Sequence, residues 1–367
     1  MIETVALTMI PRLGCRSQRQ LLSLYGSAKE VFNLSATELQ LVFGSHRAII
    51  HSILSKETFD RAEQELEFCQ RSNIRVLDFG SPEFPSRMKQ DACLDAPILL
   101  YAMGSANLNP QRSLAVVGSR KASEYGRSAT HSLVDGLRST GATIVSGLAY
   151  GIDTEAHRAA LENNLPTIAV LGHGLDQIYP AQNRELAKQI LHGGALVTEY
   201  PHGTNIQQGM FPARNRIIAA ISDACLVVEA SLRGGALITA NIANGYHRDL
   251  LAVPGRIGDI GSQGTNAIIR NGKAQLVAQA DDICYALNWD FAPCSPRQTQ
   301  IAEAADLTSD ERKLVAVLQQ NGGATFDVLL QKTTISSPKI AAALLSLEMK
   351  GYVKNCENEY FSTHQTK

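Results

Sequence analysis

Leu114-Ala115-Val116-Val117-Gly118-Ser119-Arg120 is the stretch that decides how the chain is read. Four apolar residues run without interruption and stop at a glycine, a serine and an arginine. A helix-like segment follows, from about Tyr125 to Arg138. The pattern then repeats: Thr143-Ile144-Val145 stops at Ser146-Gly147, and Gly151-Ile152-Asp153 leads into a second helix. Continuous apolar strands alternating with helices imply a parallel sheet covered on both faces. Both turns fall where a strand ends and a helix begins, the place where ligands of such sheets bind. Helix N-termini there point unpaired N–H groups outward, which favours anions and phosphates.

The alternation continues outward from this unit. Further strands are expected at 167–171, 195–198, 224–228 and 250–253, with helices over 125–139, 153–163, 182–192, 212–221 and 236–246. Residues 111–288 are therefore expected to form one doubly wound, Rossmann-like α/β domain. Residues 1–105 read as a helical N-terminal domain with strand-like pieces at 74–77 and 98–101. Two glycine turns, at Gly14 and Gly44, separate helix pairs in the manner of helix-hairpin-helix or SAM-like modules. Such turns either hold a phosphate on backbone amides or simply connect packed helices. Residues 289–308 read as a linker. Residues 309–367 offer three helices and a possible hairpin, a winged-helix-like arrangement. Its third helix carries Lys339 and Lys350 and no arginine. Residues 308–367 hold seven Lys and Arg against six Asp and Glu, so the unit has no basic footprint.

Bulk composition narrows the function by exclusion. A formal net charge of -1 over 367 residues announces neither nucleic acid nor membrane, so any anion-binding surface must come from local placement. The seven cysteines are scattered without metal-ligand spacing, which fits free thiols in a reducing compartment. The N-terminus lacks the basic region and apolar core of a signal peptide, and no apolar run is long enough to span a bilayer. A cytoplasmic protein without membrane partners is expected. There is no G-x-x-x-x-G-K-[ST], no G-x-G-x-x-G and no H-E-x-x-H, and nothing clusters as nucleophile, base and orienter. No cofactor, no metal and no catalytic residue are expected.

What the main domain offers instead is a series of turns at strand ends. Gly118-Ser119-Arg120-Lys121 joins a helix start to two cations. Ser146-Gly147 and Gly151 let the backbone approach a phosphate closely. Asp153 reads as a cap on the helix that follows. Phe211-Pro212-Ala213-Arg214-Asn215-Arg216 opens a helix with two cations, an amide and one aromatic. Phe211 is the candidate base stacker, with burial ahead of a helix as its other reading. Arg214 and Arg216 are two residues apart, so on a helix they diverge: one faces the crevice, the other forms a structural ion pair. Arg233-Gly234-Gly235-Ala236 supplies another turn and cation, and Pro254-Gly255-Arg256 and Gly264-Thr265-Asn266 follow. Residues 111–288 hold fifteen Lys and Arg and fourteen Asp and Glu, so cations gathered in these loops imply a local track for phosphates. Single-strand binding proteins combine such grooves with stacking aromatics.

With these residues assembled, the chain resembles the DNA processing protein A family (DprA, also called Smf). The resemblance rests on Val117-Gly118-Ser119-Arg120, the run from Ser146 to His157, and Ile178-Tyr179-Pro180. It continues through Thr198-Glu199-Tyr200-Pro201, Phe211 to Ala219, Leu237-Ile238-Thr239-Ala240, Ala252-Val253-Pro254-Gly255 and Gly264-Thr265-Asn266. It implies an extended Rossmann-like fold that binds single-stranded DNA without catalysis. It also implies protection of incoming strands during natural transformation by competent cells, RecA loading, recombination and homodimers. It points to Arg120 as a phosphate contact, with Gly118, Ser119, Lys121, Ser146, Gly147 and Gly151 around it and Phe211, Arg214 and Asn215 lining the same pocket. Two departures stand out. Arg233-Gly234-Gly235 replaces the family's Ser-Gly-Ser and adds a cation, and Gly245-Tyr246-His247-Arg248 replaces a Gly-Arg ending. The rival reading is a nucleotide-processing phosphoribohydrolase on a related fold, of the LOG type. Its Pro-Gly-Gly-x-Gly-Thr-x-x-Glu constellation is not matched by Pro254-Gly255-Arg256-Ile257-Gly258.

Overall fold

A computed structural model of the chain describes residues 1–289, 307–321, 324–333, 335–350, 352–356 and 359–362. Nine strands share one sheet: β1 (Arg75–Asp78), β2 (Leu99–Gly104), β3 (Ser113–Val117), β4 (Thr143–Ser146), β5 (Thr167–Val170), β6 (Ala195–Thr198), β7 (Ala224–Val227), β8 (Asp249–Ala252) and β9 (Gln275–Leu276). Their order across the sheet is β1-β2-β6-β5-β4-β3-β7-β8-β9. From β6 to β9 every pairing is parallel, while β2 runs antiparallel to β6 and β1 antiparallel to β2. This is the parallel, Rossmann-like sheet that the alternation of strands and helices predicts, extended at one edge by antiparallel β2 and β1 as the family resemblance implies.

The apolar runs explain why the sheet is buried on both sides. Along β3, Leu114 and Val116 face one layer and Ala115 and Val117 the other, as the two-residue period of a strand requires. The first layer contains Val134 of helix Glu124–Gly136 and Ile152 of helix Ile152–Glu162. The second contains Ile217 of helix Met210–Ile221 and Ala240 of helix Gly235–Gly245. Leu114, Val116, Ile144, Leu226 and Ile217 are fully buried. Each such side chain contributes roughly 1.5–3 kcal/mol relative to an exposed one.

The strand order creates a switch point. From β3 the chain winds through β4, β5 and β6 in one direction, then returns to β7 on the other side of β3 and continues to β8. The turns after β3 and β7 therefore diverge and leave a crevice at their C-terminal ends.

The N-terminal residues are helical as expected, with helices Ile2–Thr8, Cys15–Tyr25, Ala28–Phe32, Ala36–Phe43, Arg47–Ser55 and Phe59–Arg71. The boundary expected near residue 105 is not a boundary of the sheet. β1 and β2 lie before it, and Tyr101 of β2 pairs with Thr198 of β6. Ile98, Leu99 and Tyr101 also enter the helices' own core with Val5, Leu21 and Ile53, so Met1–Ala292 forms one unit. The expected linker lies outside the described residues over 290–306.

The unit Pro293–Lys367 has helices Ser309–Asn321, Phe326–Lys332 and Ser337–Met349 and strands β10 (Ala324–Thr325), β11 (Val353–Cys356) and β12 (Glu359–Ser362). The strands form a sheet ordered β10-β12-β11, completing a winged helix. Ile340, Leu344 and Leu347 point the third helix into that unit's core. Lys350, just past the helix, pairs with the buried carboxylate of Glu311 at 3.1 Å.

Candidate nucleic-acid interface

The crevice at the switch point holds about 430 Å3. The turn after β3 supplies Gly118, Ser119, Arg120 and Lys121, and the start of helix Met210–Ile221 supplies Phe211, Arg214 and Asn215. The segment after β7 supplies Glu229, Ala230, Ser231, Gly234 and Gly235. Seven sequence-predicted residues thus converge on one site, although they come from segments about ninety residues apart.

Ser119 is the joint that shapes it. Its N–H donates to the Glu229 carbonyl at 2.8 Å, tying the β3 turn to β7. Its own carbonyl accepts from Ile152 N–H at 3.1 Å, tying the same turn to helix Ile152–Glu162. Its hydroxyl oxygen accepts from Lys121 N–H at 3.1 Å. Gly151 makes the second contact possible. It stands at φ +75°, and a Cβ there would lie 2.1 Å from the Ser119 carbonyl oxygen.

The cations divide into two kinds. Arg120 and Lys121 are exposed at the mouth. The Arg120 guanidinium lies 5.7 Å from the centre of the Phe211 ring, within cation–π range. Phe211 is half-buried and lines the crevice. Tyr179 packs beside it, with ring centres 5.4 Å apart and planes at 36°.

Arg214 is 3% exposed, and its Nη1 donates to the carbonyls of Gly147, at 2.5 Å, and of Val170. A Cβ on residue 147 would lie 2.5 Å from that nitrogen, so only glycine lets the guanidinium in. Burial lowers the Arg214 pKa to about 10, offset in part by the Asp153 carboxylate. Arg216 diverges from it, as helical spacing requires. Arg216 pairs with Glu199 at 2.5 Å and faces Cys15 of the N-terminal helices.

Asp153 is not the cap of its helix. The N-cap position is Gly151 and carries no side-chain cap bond. Asp153 sits inside the first turn, and its carboxylate accepts from Ala149 N–H at 3.4 Å. Burial raises its pKa, while the charge of Arg214 opposes that rise. The pair braces the second turn from beneath.

Four predicted residues lie outside the crevice lining. Ser146 is fully buried, and its hydroxyl donates to the Val116 carbonyl at 2.6 Å, locking β3 to β4. Gly147 and Gly151 shape the wall from behind. Arg233 is exposed on the turn before helix Gly235–Gly245, outside the crevice lining.

Two residues escaped the sequence reading. Glu229 is 6% exposed at the end of the β7 run; its Oε2 accepts from Ser123 N–H at 2.9 Å. Its only sequence signal is an acid closing an apolar run at a strand end. Tyr179 sits in a motif the sequence displays, but its contact with Phe211 spans 32 positions and leaves no local trace. Among the described residues, no group of His, Cys, Asp and Glu is placed to hold a metal ion, and no helix is long and apolar enough to cross a membrane.

Fold and site together define an extended Rossmann-like α/β protein with a cationic, aromatic-rimmed crevice at its switch point and a separate winged helix. The chain matches the family model for DNA recombination-mediator protein A over residues 75–288 and that for the DprA winged helix domain over residues 298–358. It belongs to the DNA processing protein A family. It is 36% identical to protein Smf of Escherichia coli over 304 residues, 81% of this chain and 80% of that protein. It is 42% identical to DNA processing protein DprA of Streptococcus pneumoniae over 224 residues, 61% of this chain and 77% of that protein. The solved structure of DNA processing protein A from S. pneumoniae superposes with a TM-score of 0.67 at 32% identity, covering 79% of this chain and 98% of that one. A structure of DNA processing protein A from Helicobacter pylori, which concerns that protein's single-stranded DNA binding mode, gives a TM-score of 0.53 at 30% identity. It covers 60% of this chain and 97% of that one.

Proposed function

We propose that the crevice between the ends of β3 and β7 binds single-stranded DNA without acting on it chemically. In this reading the protein shields incoming strands and loads RecA onto them during natural transformation and recombination, working as a homodimer. The observation that carries the binding reading is the Arg120–Phe211 pair at the crevice mouth, 5.7 Å from guanidinium to ring centre. A cation placed with an aromatic ring offers groups suited to both halves of a nucleotide, the phosphate and the base. Around it, Gly118, Ser119 and Lys121 give the phosphate path, Asn215 adds a polar wall, and Arg233 adds a cation on the neighbouring turn. Ser146, Gly147, Gly151 and Arg214 hold the wall in shape. The relatives' DNA-processing names and the H. pylori binding structure support the ligand.

The test is binding of fluorescent oligonucleotides across a salt series. A clear preference for single over double strands is expected, with a log–log slope of several phosphate contacts. Equal affinity for both, or binding indifferent to salt, would overturn the reading. RecA loading is tested by filament formation on a single strand with and without the protein, and dimerisation by sedimentation. One feature speaks for the phosphoribohydrolase alternative, the two carboxylates Asp153 and Glu229 in the lining. Release of free base from a nucleoside monophosphate would establish it.

A further inference from the structure

We infer that Tyr179 is a second base-stacking platform and that a bound strand leaves the crevice over the ends of β4 and β5. The inference rests on the single-strand reading of the crevice and assigns a direction to the path.

Phe211 is where a cation and a second ring meet. On it meet the Arg120 guanidinium, 5.7 Å from the ring centre, and the Tyr179 ring, 5.4 Å away. Phe211 and Arg120 line the crevice, whereas Tyr179 does not, so the aromatic surface runs out of the crevice on the β5 side. Tyr179 is 50% exposed, a large ring left in solvent beside a cationic mouth. Its backbone is held in place. Tyr179 N–H donates to Nε2 of His173 at 3.2 Å. His173 is 1% exposed and its Nδ1 lies 2.9 Å from the Gly174 carbonyl, which assigns the proton to Nδ1 and leaves Nε2 as the acceptor. With its backbone held and its ring packed against Phe211, Tyr179 has less freedom to lose when a base stacks on it.

The same side carries a further open ring. Tyr150, on the turn after β4, is 43% exposed and bonded through its hydroxyl to Gln182. The opposite side of the crevice differs. There the turn after β8 exposes Ile257 and Ile260, at 96% and 72%, beside Arg256. Those aliphatic chains have no π face to offer a base. Tyr125 is also exposed on that side, its hydroxyl donating to the Pro254 carbonyl at 2.6 Å. The ring packed on Phe211 is Tyr179, so a stack that begins on Phe211 continues toward the β4–β5 side.

The test compares the full chain with Tyr179→Ala, Tyr179→Leu and Tyr179→Phe on two probes: a labelled oligothymidylate, and a strand of equal length built from abasic residues. Stacking predicts that Ala and Leu weaken oligothymidylate binding roughly five- to hundredfold. It also predicts an unchanged salt slope, full retention by Phe, and no effect of any variant on the abasic strand. Leu keeps apolar bulk against Phe211, so its loss separates stacking from packing. Unchanged oligothymidylate binding by Ala and Leu overturns the inference. So does an equal loss on the abasic strand, which makes Tyr179 a shaper of its loop. If the wild-type chain binds neither probe, the single-strand reading itself fails, and that is seen before any variant is compared.

Discussion

Nη1 of Arg214 donates to the carbonyl oxygen of Gly147 at 2.5 Å, so one arginine of the crevice faces into the protein. Its counterpart Arg120 is exposed at the mouth against Phe211. The two arginines divide the site between them. Arg214 builds the wall with Asp153 and Gly147, and Arg120 is free to reach a ligand.

Arg120→Ala is expected to weaken single-strand binding and reduce the salt slope by about one phosphate contact. Because Arg120 is exposed, thermal stability should stay within about 0.5 kcal/mol of wild type. Anisotropy titrations at several salt concentrations, with a denaturant melt of the same variant, check both halves.

Arg214→Ala is expected to act on stability first. It leaves the carboxylate of Asp153 buried without its cation and the Gly147 and Val170 carbonyls without their donor. Removing one member of such a buried set costs about 3–5 kcal/mol. Arg214→Lys should recover only part, since an ammonium cannot reproduce the guanidinium fork. Urea unfolding reads the difference. A melt like that of wild type would mean that Arg214 does not brace the wall.

Gly151→Ala places a side chain at φ +75° and against the Ser119 carbonyl. Backbone strain alone costs about 1–3 kcal/mol. The bond from Ile152 N–H to Ser119 should lengthen, which moves the turn that carries Arg120. Oligonucleotide affinity is expected to fall together with stability, measurable by titration below the variant's melting range.

His157 gives the fold an acid limit. It is fully buried, with Nδ1 2.7 Å from the Thr167 hydroxyl, and burial lowers its pKa from 6.5 to about 3. In the unfolded chain it titrates near 6.5, so below that pH the unfolded state binds more protons than the folded state. The stability tied to neutral His157 is complete above pH 6.5 and is lost as pH falls toward 3. The loss is about 1.4 kcal/mol per pH unit, or about 2 kcal/mol by pH 5. Denaturant unfolding at pH 7 and pH 5 should show that loss in wild type and a smaller one in His157→Gln.

The sequence by itself determined the order and kind of the elements. Leu114–Val117 and Ala224–Val228 are apolar without interruption, which only a strand covered on both faces can use, and the helices between them follow from their spacing and small-residue turns. It also determined which turns carry cations, and so named Arg120 and Phe211. Tertiary structure decided the rest, because strand pairing links positions far apart and leaves no local periodicity. Only the sheet order sets β7 beside β3 and opens the crevice. β1 and β2 join the sheet through β6, across the boundary that composition suggested. Spacing on a helix dictated that Arg214 and Arg216 diverge, but not that Arg214 would be the buried one. That depended on a glycine at 147 and a carboxylate at 153 meeting it across the fold. The packing of Tyr179 on Phe211 was settled in the same way, by two loops that only the folded sheet brings together.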